Sequence, residues 1–238
     1  MPLHSIRPLP GGVRLGLWHL TEMPLELWPQ LAAPEAYRPL LPARADGPRQ
    51  AQWLAGRVLV QRMLATVAPL AVLPLLQNDA AGRPFLTGPA ALVSAVSLSH
   101  SGAWVAALLA PPGTAVGVDV EAGRDQAFRI ARKFLNTDEL AVIKSFGAPG
   151  SGPPTEATSA LFSLLWSAKE TLFKLANRRG LIFRQNLLLD LPPGPWPEAG
   201  ELPARLALGD AISRHRICYF RPAAGYVLTY CYALSSPI

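Results

Sequence analysis

The sequence predicts an α+β protein made of two halves, and three observations support this. Two long segments, residues 49–67 and 158–175, are predicted to form helices, one in each half. Strand-like segments surround each helix. The turn-forming residues Pro111, Pro112 and Gly113 separate the two sets. We therefore expect an N-terminal half at residues 1–112 and a C-terminal half at 113–238.

Each element follows from its own pattern. The second helix contains neither proline nor glycine, and its apolar residues recur at spacings of three and four, which is typical of a helix packed on a core. This apolar stripe comprises Leu161, Leu164, Leu165, Ala168, Leu172 and Leu175. The predicted strands are residues 104–109, 115–121, 204–208, 214–220 and 226–232, and the last three are expected to form an antiparallel sheet. Residues 147–155 are rich in glycine and proline, which predicts a flexible loop, hypothesised to border a partner surface.

Composition limits the class of protein and its partners. The chain has 238 residues, of which 50% are hydrophobic and 16% charged, so it is expected to be globular. A net charge of +6 and a pI near 9.7 favour polyanionic partners. No run of lysine and arginine alternates with aromatic residues, which argues against nucleic acid as the partner.

The cysteines and the hydropathy pattern favour a cytoplasmic protein. Cys218 and Cys231 are too few for a disulfide scaffold or a zinc site and are expected to be buried free thiols in a reducing compartment. The N-terminus lacks the long apolar region of a signal peptide. The most apolar stretch, residues 58–76, is interrupted by charge and proline, so no membrane span is expected.

A first candidate site segment is Gly117–Glu121. As a strand, it directs its valines to one face and Gly117, Asp119 and Glu121 to the other. The two carboxylates then lie roughly 6.5–7 Å apart along the strand and can converge on one cation, for which hard oxygen ligands favour Mg²⁺. Gly117 would let a ligand approach the backbone. Taken alone, this pattern is better explained by an edge strand with solvated acids and a turn glycine.

A second candidate segment, residues 166–174, reads WSAKETLFK. Glu170 and Lys174 are four residues apart on the predicted helix and so are neighbours on its surface. A surface ion pair would explain these two charges. It explains less well why they lie beside Trp166 and Phe173 in a helix that otherwise carries little charge.

Together the two segments resemble the signature of the 4'-phosphopantetheinyl transferases of the long, monomeric type that serve surfactin and enterobactin synthesis. Four further segments resemble motifs of this family in the same order: residues 48–57, 81–84, 97–102 and 129–139, the last corresponding to the helix after the metal strand. The departures are Pro48 in place of lysine, Gln52 in place of an acid, and the turn at residues 177–181.

The resemblance implies a fold, a reaction and partners. The fold would be two similar α+β halves related by a pseudo-twofold axis, with the active site at their interface. The enzyme would move 4'-phosphopantetheine from coenzyme A to a serine of an apo acyl, peptidyl or aryl carrier protein, releasing 3',5'-ADP. Its partners would be acidic carrier proteins and coenzyme A, with neither nucleic acid nor membrane, and it would act as a monomer.

The resemblance also implies roles for individual residues. Asp119, Glu121 and Glu170 would hold Mg²⁺, with Mn²⁺ as the alternative, and Glu170 would be the base for the serine, either directly or through a metal-bound water. The predicted catalytic residues are Glu170, Lys174 and Asp119. The residues predicted to bind coenzyme A are Arg49, Arg57, Arg83, Ser99, His100, Lys169 and Lys174. Within this set the two lysines would contact the phosphates, and His100 the 3'-phosphate.

Two other functions use the same residues. A Mg²⁺-dependent hydrolase of coenzyme A or nucleotide pyrophosphates would replace the serine by water. A non-catalytic module would bind coenzyme A or an acidic protein through the same charges. The spacing of the motifs argues against the hydrolase, and the combined set of three acids and two lysines argues against the binding module. The enterobactin-like stretch at 48–57 favours a broad enzyme of peptide or polyketide synthesis.

Overall fold

The computed structural model describes residues 3–43, 45–67, 73–88, 94–145, 154–194 and 196–233. The chain divides into two compact units, one that extends to Val116 and one at Gly117–Ala233. The boundary predicted from the sequence lies after Pro112. Each unit combines helices with a sheet, which confirms the predicted α+β class. The loop predicted at residues 147–155 lies almost wholly outside the described residues.

The first unit consists of a four-stranded sheet, a two-stranded hairpin and one long helix. Its strands are β1 (Leu3–Pro8), β2 (Arg14–His19), β3 (Leu75–Asn78), β4 (Pro84–Thr87), β5 (Ala95–Ser101) and β6 (Trp104–Ala110). Its helices are α1 (Pro24–Leu27), α2 (Pro34–Tyr37) and α3 (Gly47–Ala65). The sheet has the order β1-β2-β6-β5 with antiparallel neighbours, and β3 and β4 form the hairpin.

Helix α3 confirms the first predicted long helix. It begins after Asp46, whose side chain accepts a hydrogen bond from Arg49 N, and Pro48 occupies its first turn, where no backbone donor is needed. The helix lies close to the sheet because Gly56 has no side chain: a Cβ there would come within 2.8 Å of Leu98 on β5. Its apolar face forms the core of this unit with β2 and β6.

The second unit is a five-stranded sheet covered by one long helix. Its strands are β7 (Ala115–Ala122), β8 (Leu187–Leu189), β9 (Ala199–Leu208), β10 (Ala211–Phe220) and β11 (Tyr226–Ala233). Its helices are α4 (Asp125–Arg129), α5 (Ala131–Phe134), α6 (Thr137–Ser145), α7 (Glu156–Ala176) and α8 (Phe183–Asn186). The strand order is β7-β11-β10-β9-β8. Pairs β8–β9, β9–β10 and β10–β11 are antiparallel, which confirms the predicted C-terminal sheet.

Helix α7 confirms the second predicted long helix. Thr155 caps it by accepting a hydrogen bond from Thr158 N at 3.2 Å, and it ends at Asn177, which adopts the left-handed conformation with φ 48°. The predicted apolar stripe packs into the core of the unit, except that Leu161 is only partly buried. The helix therefore holds its polar residues at fixed positions along strands β7 and β11.

The family resemblance implied one helix at residues 129–139. In the structure this segment forms parts of three short helices, α4, α5 and α6. The helical path stops at Ile130, where φ is −101° and ψ is 9°, and again at Leu135, which is extended. It restarts because Asn136 and Glu139 exchange reciprocal hydrogen bonds of 2.8 Å that cap α6. Arg129 and Lys133 consequently do not share one continuous helix face.

Both cysteines are free thiols, with Cys231 buried and Cys218 half-buried. Burial raises the pKa of the Cys231 thiol to about 12, so this residue is an inert core group. Among the described residues, no helix combines the length and the apolar character that crossing a membrane requires.

Candidate active site

The site in the second unit is built where α7 crosses strand β7. A Cβ on Gly117 would clash with the carbonyl oxygen of Thr171, so only glycine lets the helix backbone approach this strand so closely. The predicted role of Gly117, as an opening for a ligand, is therefore wrong. The helix itself fills the space and brings Glu170 and Lys174 over the carboxylate face of β7.

Asp119 and Lys174 form the closest polar contact of the site. The Lys174 Nζ donates to Asp119 Oδ1 at 2.8 Å and to the carbonyl oxygen of Val118 at 2.9 Å. The Asp119 side chain is 7% exposed and that of Lys174 is 26% exposed, so the pair lies at the edge of the core and not in open water. From the sequence, Lys174 could have formed an ion pair with Glu170 on the helix surface. In the structure Lys174 binds strand β7 instead.

Glu170 experiences the negative charge of both acids on β7. Burial, with added repulsion from Asp119 and Glu121, raises the pKa of the Glu170 carboxyl to about 7, while Lys174 opposes this rise. Three carboxylates predicted to act together are therefore electrostatically coupled in the structure. A carboxyl with a pKa near neutrality, half-buried in a polar cluster, is a candidate general base.

The donor set fits a divalent cation in its chemistry. The carboxylates of Asp119, Glu121 and Glu170 are hard oxygen donors, and their mutual repulsion is the kind that a bound cation relieves. Within the described ranges, however, no three acidic, histidine or cysteine side chains lie close enough to hold an ion as they stand. Binding would require these carboxylates to draw closer together.

Lys169 does not lie where the sequence analysis placed it. Its side chain is fully buried, and its Nζ donates to Glu139 Oε2 at 2.7 Å and to the carbonyl oxygen of Phe183 at 3.5 Å. Burial lowers the pKa of this lysine, an effect that Glu139 opposes. The assignment of Lys169 to the phosphates of coenzyme A is therefore corrected: an ammonium group enclosed in the core has no access to a ligand.

Glu139 is a structural residue that the sequence analysis did not single out. Besides Lys169, its carboxylate accepts bonds from Asn136 N at 2.8 Å and Leu189 N at 2.7 Å, so it joins α6, α7 and β8. The sequence does contain a signal for it. Asn136 followed three residues later by a glutamate is the pattern of a helix cap, which predicts a carboxylate turned back to the chain.

The aromatic residues beside the charges form a packed layer. Phe183 stacks between Trp166 and Phe173 of α7, each with a ring-centroid separation of 5.5 Å, and Phe134 meets the edge of Trp166 at 5.2 Å. Such contacts add about 0.5–1.5 kcal/mol per pair beyond the area that they bury. The aromatic neighbours of Glu170 thus hold α5 and α8 against α7.

A small pocket of about 110 Å³ opens beside Glu121. Its walls include Ala127, Ile130, Ser163 and Trp166. Pockets for drug-sized ligands measure roughly 300–1,000 Å³, so this space admits only a small group.

Two arginines predicted to bind coenzyme A lie in different environments on α3. Arg49 is exposed in the first turn, whereas Arg57 is buried with 3% of its surface exposed. Eight residues are about 2.2 turns, which separates the two side chains by about 80° around the helix axis. The two side chains therefore lie on different sides of the helix, and Arg57 is not exposed for direct contact with a ligand.

The remaining predicted contacts lie on the hairpin and on β5 of the first unit. Arg83 is half-buried after the turn that joins β3 to β4, and His100 is exposed near the end of β5. Ser99 is 8% exposed and, as a strand neighbour of His100, is directed to the opposite face. The Ser99 side chain is thus nearly enclosed and lies on the other face of the strand from His100, so the two side chains do not present one surface to a ligand.

Comparison with known proteins identifies relatives of this chain. Residues 115–231 match the family model described as the 4'-phosphopantetheinyl transferase superfamily. The chain is similar to the 4'-phosphopantetheinyl transferase psf-1 of Bacillus pumilus, with 29% identity over 148 residues, 62% of this chain and 56% of that protein. It is also similar to the 4'-phosphopantetheinyl transferases AcpT of Salmonella typhimurium and Salmonella typhi, with 32% and 31% identity over 137 residues, 57% of this chain and 63% of each relative.

The matches thus span between 56% and 63% of the length of these relatives. The matched family segment contains β7, α7 and all four charged residues that meet there, Asp119, Glu121, Glu170 and Lys174. It is through this segment that the chain is similar to the 4'-phosphopantetheinyl transferase superfamily.

Proposed function

We propose that this protein transfers the 4'-phosphopantetheine group from coenzyme A to a serine of apo acyl, peptidyl or aryl carrier proteins, yielding holo carrier protein and 3',5'-ADP. This is the activity of a holo-acyl-carrier-protein synthase. The observation that carries the proposal is the electrostatic coupling of Asp119, Glu121 and Glu170 beside Lys174, within the segment that matches the family.

Glu170 is the proposed proton acceptor. The serine oxygen forms a new bond to the phosphorus of the phosphopantetheine phosphate, the bond from that phosphorus to the departing 3',5'-ADP breaks, and the serine proton passes to Glu170. A serine hydroxyl is a weak nucleophile and needs a base. In the metal-free cluster the pKa of Glu170 is raised to about 7, so this carboxylate accepts a proton more readily than an ordinary glutamate.

Lys174 and Asp119 organise the positive charge of the site. Asp119 holds the Lys174 ammonium at 2.8 Å, and the 26% exposure of the lysine side chain leaves it accessible to a phosphate. In phosphoryl transfer, catalysis is mostly positioning and charge stabilisation, and a lysine serves as a point charge for phosphate. We propose that Lys174 contacts the pyrophosphate of coenzyme A.

The proposed metal ligands are Asp119, Glu121 and Glu170, with Mg²⁺ or Mn²⁺ as the ion. When bound, such an ion neutralises charge that develops on the leaving phosphate oxygens. In the first unit, Arg49, Arg83 and His100 remain proposed contacts to coenzyme A.

Intact-mass spectrometry of an apo peptidyl carrier protein tests the reaction. The carrier is incubated with coenzyme A, Mg²⁺ and either the wild type or the Glu170→Gln variant. We expect the wild type to add the mass of one phosphopantetheine and the variant to do so about 10²–10⁴ times more slowly, the usual contribution of general acid–base catalysis.

The matched control is Glu156→Gln, which removes an exposed carboxylate from the first turn of the same helix. This variant should retain the wild-type rate. No mass gain by the wild type on acyl, peptidyl or aryl carriers, with coenzyme A still bound, would refute the transferase and favour a binding module. Release of 3',5'-ADP without any carrier would instead indicate a hydrolase.

A further inference from the structure

Arg57 is a buried cation without an acidic partner. Its side chain lies inside the first unit, and within the described part of the chain no carboxylate lies within ion-pairing distance of it. Burial lowers the pKa of its guanidinium to about 9. Burying an unpaired charge is costly, so a residue held in this way needs a compensating set of contacts.

Neutral groups provide those contacts. The guanidinium carbon lies 3.6 Å from the centroid of the Trp53 ring, one turn earlier on α3, and one terminal nitrogen donates to the Trp53 carbonyl oxygen at 3.1 Å. The other terminal nitrogen donates to Asn78 Oδ1 at 2.7 Å. Stacking on tryptophan and a charge-assisted hydrogen bond together stabilise the cation.

Asn78 connects Arg57 to the turn between β3 and β4 through a second hydrogen bond. Its side-chain amide nitrogen donates to the carbonyl oxygen of Gly82 at 2.8 Å, directly before Arg83. Gly82 has a φ of 81°, a conformation that favours glycine. A continuous path of hydrogen bonds therefore runs from the core of α3 through Asn78 to the peptide that precedes Arg83.

The turn itself is rigidly closed. Asp79 Oδ1 accepts bonds from Ala81 N at 2.7 Å and Arg83 N at 2.9 Å, and Asp79 N donates to the Arg83 carbonyl oxygen at 2.9 Å. These bonds fix the turn internally but do not attach it to the rest of the unit. The hydrogen bond from Arg57 to Asn78 links the turn to α3, and at the opposite end of the hairpin Leu76 N donates to Tyr37 Oη at 3.0 Å.

We propose that Arg57 and Asn78 are positioning residues, which hold the β3–β4 turn in place so that Arg83 meets a phosphate group of coenzyme A. This inference rests on the proposed function. It replaces direct contact between Arg57 and coenzyme A, which the burial of Arg57 does not permit, with an indirect effect through three hydrogen-bonded residues.

A double-mutant cycle tests the inference. Asn78 is exposed, so Asn78→Ala removes the link without opening the core. We expect this variant to raise the Kd and KM for coenzyme A about threefold to tenfold, which corresponds to the free energy of one hydrogen bond. The kcat and the KM for the carrier should be unchanged. In an Arg83→Ala background, the same change should alter coenzyme A affinity less than about twofold, because its effect passes through Arg83.

Arg57→Lys is the second variant, because lysine retains the charge but lacks the planar fork that both stacks and donates in two directions. It should weaken coenzyme A binding by a similar factor. Arg62→Lys is the matched control, since Arg62 lies exposed on the same helix, and it should leave affinity unchanged.

The possible results separate the two proposals. The positioning role is overturned if the effects of Asn78→Ala and Arg83→Ala on coenzyme A affinity multiply in the double variant. It is also overturned if Asn78→Ala lowers kcat and leaves the coenzyme A affinity unchanged. Either result leaves the proposed transferase activity intact. A wild-type protein that binds no coenzyme A overturns the transferase and this inference with it. Calorimetric titration of each variant with coenzyme A alone gives the Kd without any carrier.

Discussion

At the scale of single residues, Lys169 and Lys174 show how burial separates two lysines of one motif. They are five positions apart on α7, yet the first is enclosed by the core and bound to Glu139, while the second borders solvent beside Asp119. An accessible ammonium can exchange a protein partner for a ligand phosphate. An enclosed one stabilises the fold, because its partner would otherwise be a buried unpaired charge.

The variant Lys169→Met tests this difference. We expect it to lower the free energy of unfolding by about 3 kcal/mol, because Glu139 is left buried without its cation. Urea denaturation measures the loss. The exposed Lys144→Met on α6 serves as the control and should change stability by less than about 0.5 kcal/mol. An unchanged stability with a raised KM for coenzyme A would restore Lys169 to the phosphate site.

The raised pKa of Glu170 predicts that the stability of the metal-free protein depends on pH. Its folded-state pKa is raised from 4.5 to about 7, so the folded protein holds this proton more tightly than the unfolded chain does. The corresponding stability is fully present below about pH 4.5 and is lost as the pH rises through about 7. We therefore expect Tm, measured in EDTA, to contain a component that falls across this range.

The Glu170→Gln variant should lack that component, because glutamine does not titrate. Added Mg²⁺ should reduce it in the wild type, since a cation beside three carboxylates favours their charged forms. Parallel Tm curves for wild type and variant across this pH range would contradict the coupling of the three acids.

At the scale of elements, the position of α7 is determined by two contacts with different chemistry. Gly117 admits the Thr171 carbonyl against β7. At the neighbouring strand β11, the fully buried hydroxyls of Ser167, Thr171 and Thr229 meet: Thr229 Oγ1 lies 2.9 Å from Ser167 Oγ and 2.6 Å from Thr171 Oγ1. These polar contacts between α7 and β11 require one register of the helix, which an apolar interface alone would not specify.

The variant Thr229→Val keeps the shape of the side chain and removes the shared hydroxyl. We expect the free energy of unfolding to fall by about 1–3 kcal/mol, because Ser167 and Thr171 lose a buried partner. Thermal and urea unfolding measure this loss. Thr229→Ser retains the hydroxyl and should lose less. Equal losses in both variants would mean that the methyl group, and not the hydroxyl cluster, stabilises this interface.

At the scale of the whole molecule, the net charge of +6 predicts how partners are attracted. Oppositely charged surfaces accelerate encounter, and salt screens the effect over a Debye length of about 10 Å at 0.1 M. With an acidic carrier protein, we expect the KM for the carrier to rise as salt increases from about 0.05 to 0.5 M, while kcat changes little.

Steady-state kinetics at several salt concentrations measure the KM for the carrier, with coenzyme A kept saturating at each concentration. Sucrose at matched osmolality is the control for general solvent effects. A KM for the carrier that is constant over this range would show that apolar contacts, and not charge, dominate carrier recognition.

The sequence by itself determined the two long helices, the C-terminal sheet and the segments that carry the chemistry. These are local properties: apolar spacing, turn residues and caps act within a few residues. The two signature segments also named the acids that the structure places together on β7 and α7. The break at Ile130 escaped prediction, although the cap formed by Asn136 and Glu139 was visible in the sequence.

Only the tertiary structure decided which charged side chains are accessible. Lys169 and Arg57 resemble ligand-binding residues in the sequence, yet both are enclosed, one by Glu139 and the other by Trp53 and Asn78. Gly117 likewise admits a helix and not a ligand. The physical reason is that burial and pairing depend on residues distant in sequence, whose approach is determined by packing and not by local pattern.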